Sequence, residues 1–155
     1  VSAGNPFRMT DDLLVQAVER LRRLNAYMMP PAPEKTLSGI LCNWLPADYK
    51  QFLGMANGCQ GPGIRLYGTE PMPLAGGQME PDIFMATQRA KADDMISGGH
   101  ALGRAGGGLL IVHNEEAGRY EALDESCRDV LYEFTTLAEL LDHWLKIAER
   151  RIASS

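Results

Sequence analysis

The sequence predicts an α+β domain, and three observations carry that prediction. Apolar residues recur at helical spacing near both ends of the chain. Between them lie short segments of strand character punctuated by glycine and other turn residues, at hairpin-like intervals that favour antiparallel pairing. The 155 residues, 45% apolar and 23% charged, suit one soluble domain able to close a single core. Helices, then a meander, then a helix is an α+β order.

Residues 1–9 are set aside from the fold as disordered or vector-derived, and residues 10–36 are read as an N-terminal helix and a proline-rich linker. The helix is predicted over about Asp11 to Tyr27. Thr10 would cap it, Asp11 and Asp12 suit the positive end of its dipole, and Leu14, Ala17, Val18, Leu21 and Leu24 form one stripe. The proline cluster after Met28 is expected to end it, because proline lacks the donor a helix needs. A shorter helical piece should follow in KTLSGILCNW.

The segment LPADYKQFLGMANGCQG, residues 45–61, raises a sharper question, since a helix there stops abruptly at Asn-Gly. Pro46 is tolerated in a first turn, while Tyr49, Phe52, Leu53 and Ala56 share a face. Gly58 is expected to take positive φ, and Trp44, Tyr49 and Phe52 to form core beneath the turn. IRLYG then reads as a strand, TEPMPLAGGQMEP as a long loop and DIFMATQRAKADDM as a helix. HALGRAGGGLLIVHN, GRYEALD and DVLYEF read as consecutive strands, with Val130, Tyr132 and Phe134 on the buried side of the last. In the closing helix Thr136 and Glu139 have capping-box spacing, and Leu137, Leu140, Leu141, Trp144 and Ala148 make the stripe.

Motifs that would carry catalysis fail on spacing. GRAGGG at 103–108 lacks the following Lys-Ser/Thr of a phosphate loop and leads into a strand, so it reads as a hairpin turn. His100, His113 and His143 pair with no cysteine or carboxylate at ligand spacing, so no metal and no cofactor are expected. Cys42, Cys59 and Cys127 are too irregularly spaced for a disulfide framework, which favours reduced thiols and a cytoplasmic location. Cys59 is the one candidate nucleophile, without an assignable base, and no enzymatic activity is expected. No secretory signal and no membrane-spanning run is read, and a net charge of −5 argues against nucleic acid or anionic lipid as partners.

Charge is distributed unevenly. Residues 109–145 hold nine acidic side chains against Arg119 and Arg128, a local balance of −7. Such a segment is either a solvated outer face or a docking surface for a basic protein.

Taken together, LPADYKQFLGMANGCQG, IRLYG, ALGRAGGGLLIVHNEEAGRYEALDE and VLYEFTTLAELLDHWL resemble the SUKH superfamily, which includes Syd-like, YrhA-like and Smi/Knr-type proteins. The resemblance spans roughly Leu37 to Leu145 and looks closest to the YrhA-like branch. It departs at Gly108-Leu109, where many relatives place an acidic residue, and over residues 69–95, which match nothing specific. It implies a curved antiparallel sheet flanked by N-terminal helices and a C-terminal helix. It also implies a non-enzymatic immunity protein that neutralises a cognate toxin by binding it. The alternative is a housekeeping module regulating secretion or cell-wall processes. The expected partner is therefore a protein toxin, such as a basic nuclease. The candidate binding residues are Glu121, Asp124, Glu125, Asp129 and Glu133, with Leu131 as an apolar anchor.

Overall fold

A computed structural model describes residues 6–154, with side chains from Asp12 onward. Helix α1 (Pro6–Arg23) starts earlier than its sequence pattern suggests, so residues 6–9 and Thr10 lie within it and Thr10 is not its cap. Residues 1–5 of the segment expected to be disordered lie outside the described residues. The helix also ends earlier, and not at the prolines. Asn25 takes a left-handed φ of 60°, Ala26 N–H donates to Leu21 O and Asn25 N–H to Arg22 O. Those two bonds are a Schellman stop, which satisfies the last carbonyls and turns the chain into strand β1 (Tyr27–Met28). Leu14, Ala17, Val18 and Leu21 are buried as their spacing requires.

The next helical piece is broken in two: a single turn, α2 (Glu34–Leu37), and a 3₁₀ turn over Ile40–Cys42. Helix α3 (Ala47–Met55) then buries Tyr49, Phe52 and Leu53. Its stop is Ala56, whose backbone is extended, and Gly58 has φ +104° two residues later. The Asn57 side chain accepts from Thr69 N–H at 2.7 Å and donates to Thr69 Oγ1 at 2.8 Å. A Cβ on Gly68 would lie 2.1 Å from Asn57 O, so Asn-Gly is a crossing point between two backbones. Trp44 corrects an expectation: it is 67% exposed, beside Ile40 and Leu41 at 85% and 66%. The 3₁₀ turn faces Cys42 inward and leaves these three outside.

Strands β2 (Cys59–Gly61) and β3 (Ile64–Leu66) form a hairpin through Pro62-Gly63, with Gly63 at φ +80°. The long loop holds a small hairpin of β4 (Met72–Pro73) and β5 (Met79–Glu80). Helix α4 (Ile83–Ala92) begins at Asp82, whose side chain accepts from Met85 N–H. The meander follows as β6 (His100–Ala105), β7 (Leu109–Asn114), β8 (Arg119–Asp124) and β9 (Val130–Phe134). All pairings are antiparallel, and the main sheet runs β1-β2-β3-β6-β7-β8-β9, open at both ends.

Helix α5 (Leu137–Ser154) carries the predicted cap: Glu139 N–H donates to Thr136 Oγ1, and the Glu139 carboxylate accepts from Thr135 N–H. Helices α1, α3 and α5 cover one sheet face. Arg20 ties α1 to α5, reaching Asp142 and Glu149 at 2.7 Å each. Asp48 at the start of α3 accepts from the Tyr120 hydroxyl on β8 and, at 2.8 Å, from Leu137 N–H of α5. One carboxylate thus fastens two helices to the sheet. On the other face α4 packs on β6, where Thr87 Oγ1 accepts from Ala101 N–H. That coverage stops short of β8 and β9. Among the described residues no helix is long and apolar enough to cross a membrane.

Candidate partner-binding groove

Because strand residues alternate between faces, β8 divides its side chains cleanly. Tyr120 and Ala122 point toward the helices; Glu121 and Leu123 point to the face that α4 leaves open. Their ladder partners Val112 and Leu110 on β7 share that second face, and Val130 on β9 pairs with Leu123. The result is a groove of about 400 Å³ along β8. Val112, Leu123 and Val130 floor it, Met95–Gly98 form one wall, and Glu115 and Glu116 stand at one end. Arg128 stands at the other, so its lining holds three carboxylates and one arginine.

The six candidate residues divide by what already engages them. Asp129, Leu131 and Glu133 are exposed on or beside the edge strand. Leu131, 50% exposed, is the extra residue of a bulge between the pairs Ala122–Tyr132 and Leu123–Val130. Asp124 is committed to the β8–β9 turn, accepting from Ser126 Oγ at 2.6 Å and Ser126 N–H at 2.8 Å. Those two bonds hold its carboxyl below the usual range. Glu125 pairs with Arg104 at 2.9 Å.

Glu121 is not part of the exposed set. It is 5% exposed, lies at the groove floor and is bound by Arg119 Nε at 2.9 Å. Arg119 also reaches Glu133, 3.1 Å away, which sits directly across the ladder from Glu121. Without that shared cation two carboxylates would face each other, a destabilising pair. Glu121 is therefore a structural element of the groove rather than a surface charge.

The local balance of −7 also shrinks on folding. Arg104 arrives from β6 to meet Glu125, and Arg20 from α1 to meet Asp142. Among the described residues, the exposed acids of this segment that join no salt bridge are Glu115, Glu116, Asp129 and Glu139, and Glu139 is spent on capping α5 through Thr135 N–H. Glu115 and Glu116, absent from the sequence-based candidates, join them by their position in the β7–β8 turn at the groove mouth.

The alternation expected on β9 is only half realised. Tyr132 and Phe134 do face α5, with Tyr132 4.6 Å from the His143 ring and 5.7 Å from Trp144. The bulge turns Val130 to the groove instead, and the strand stays 41–42% exposed at Tyr132 and Val130.

The remaining reactive groups are dispersed. Cys59 is fully buried, and burial pushes its thiol up to about 12, so it offers neither thiolate nor access. Cys42 is buried too, Cys127 is exposed, and all three are free. His100 and His113 are cross-strand partners, both held below the ordinary imidazole range by burial. Among the described residues no group of three histidine, cysteine or carboxylate side chains is placed to hold a metal.

No family model matches the chain, and no curated protein is significantly similar to it.

Proposed function

We propose that this chain is a cytoplasmic immunity protein that neutralises a cognate bacterial toxin by binding it, the toxin presenting a basic surface such as the cleft of a nuclease. The observation that carries the reading is the groove along β8, where Val112, Leu123 and Val130 surround a Glu121 already paired with Arg119 and where Glu115 and Glu116 stand at the mouth, beside an edge strand exposing Val130, Leu131 and Tyr132. Apolar contacts within a charged rim are what a specific protein interface needs: the apolar centre supplies affinity, the rim supplies on-rate and selectivity. The resemblance of the glycine-rich hairpins to SUKH immunity proteins supports the same reading.

Co-expression with the toxin encoded beside this gene tests it. The wild-type chain should restore growth and co-purify with the toxin as a stoichiometric complex. Replacing Glu116, Asp129 and Glu133 by lysine should slow association most at low salt, with the deficit narrowing as salt screens the charges. Growth restored without a complex, or association rates unaffected by the triple reversal, would retire the reading.

A further inference from the structure

We propose that β9 is a docking edge that accepts an added strand carrying lysine or arginine at alternate positions, contributed by the partner. This rests on the reading that the chain works by binding a basic protein, and it names how the contact is made.

The sheet has two ends, and they are not equivalent. At one, β1 is two residues long and is followed within three residues by Pro30 and Pro31, which cannot donate to a neighbour. At the other, β9 runs five residues, and among the described residues no strand pairs with its outer side. Val130, Leu131, Tyr132 and Glu133 are all exposed. The strand is nevertheless held in place, by its ladder to β8 and by Tyr132 and Phe134 against His143 and Trp144. An edge already ordered in this way adds a strand with little further ordering of its own.

Chemistry on the two sides of β9 differs. Glu133 lies on the groove side, where a single arginine serves both it and Glu121. On the helix side Tyr132 joins Leu109, Trp144 and Ile147 around a mainly apolar hollow of about 280 Å³ whose lining also includes His143 and Arg151, a cation that disfavours a basic residue on that side. A strand laid along this edge would set alternate residues against carboxylates and against an apolar shelf. Its complement is therefore a basic–apolar alternation. A second copy of this chain fits poorly: antiparallel self-pairing centred on Leu131 sets Asp129 of each copy against Glu133 of the other, like charge on like. The bulge and these acids together deter indiscriminate pairing and leave a basic strand favoured.

The test uses the full chain, isotopically labelled, and a capped synthetic peptide of alternating lysine and valine. A second peptide of the same sequence is N-methylated at every other residue, which keeps the charge and removes one edge of hydrogen bonds. The unmodified peptide should shift β9 amides, slow their hydrogen exchange and show backbone contacts to residues 130–134. N-methylation, and separately Glu133→Lys, should each weaken binding about tenfold or more. Equal binding of the two peptides, or shifts confined to Glu115 and Glu116, would overturn strand addition while leaving a charged docking surface intact. No binding of either peptide, or a concentration-dependent dimer that buries β9, would overturn it as well. The toxin complex is scored independently by co-expression, so loss of strand addition and loss of the immunity reading are distinguishable.

Discussion

Removing Arg119 should expose how the groove floor is held together. Glu121 is 5% exposed and, among the described residues, takes its close cationic contact from Arg119 Nε at 2.9 Å; Asn114 Nδ2 is more distant, at 3.4 Å from each oxygen. Two unit charges about 4 Å apart attract by about 4 kcal/mol at an effective dielectric near 20. The Arg119 side chain is 40% exposed, so water screens much of this. We expect Arg119→Met to cost about 2–3 kcal/mol at pH 7, because it leaves Glu121 charged, desolvated and opposite Glu133. Glu121→Gln in the Arg119→Met background should restore most of the loss, and Glu133→Gln much less, since Glu133 is 53% exposed. Urea unfolding of the four proteins of the cycle gives the coupling energy directly. A coupling below about 0.5 kcal/mol, or rescue by Glu133→Gln alone, would refute the assignment of Glu121 as a buried, Arg119-dependent charge.

Other perturbations address separate features. Asp48→Ala should destabilise by about 3 kcal/mol or more in urea unfolding, since it orphans the buried Tyr120 hydroxyl and Leu137 N–H at once. Gly58→Val should cost about 2 kcal/mol or more, because φ is +104° and the new Cβ would sit 3.2 Å from Leu66 O; Gly107→Ala, with nothing within 4 Å, is the near-neutral control. A thiol reagent should modify Cys127 alone in the folded chain, with Cys42 and Cys59 reacting only on unfolding, as mass spectrometry can read. Burial lowers the folded pKa of both His100 and His113. The unfolded chain therefore binds those protons first, and stability should fall as pH drops through about 6.5. Replacing both histidines by glutamine should flatten that part of the profile.

Much of this architecture was legible because local rules agreed with one another. The stripes of α1 and α5, the Thr136–Glu139 cap and the strands of the meander all depend on near neighbours in sequence, and all are present. What escaped depends on tertiary placement. The prolines after Met28 suggest the end of α1, whereas Asn25 closes it sooner in a left-handed turn. The aromatic character of Trp44 suggests core, yet the 3₁₀ turn just before it spends its inward position on Cys42 and leaves Trp44 outside. Strand β2 is not legible in sequence, because the glycine-flanked CQG has little strand propensity and is recruited by pairing with β3.

The candidate site shows the same division. Counting charge along a segment located the acidic hairpin, but could not show that Arg104 and Arg20 would cross the sequence to neutralise Glu125 and Asp142. Nor could it tell that Glu121 points into a covered floor while Glu116 stands free at the mouth. Strand alternation predicts opposite faces for neighbours; which face α4 leaves open is a property of the assembled layers.

Hydrogen–deuterium exchange of the chain with and without its bound toxin tests the central claim most directly. The account predicts slowed exchange in the β7–β8 turn and along β9, residues 115–118 and 130–134, with α1 and the α2–α3 region unchanged. Protection confined to α1 or to the Ile40–Trp44 turn, with β9 exchanging as in the free protein, would contradict it.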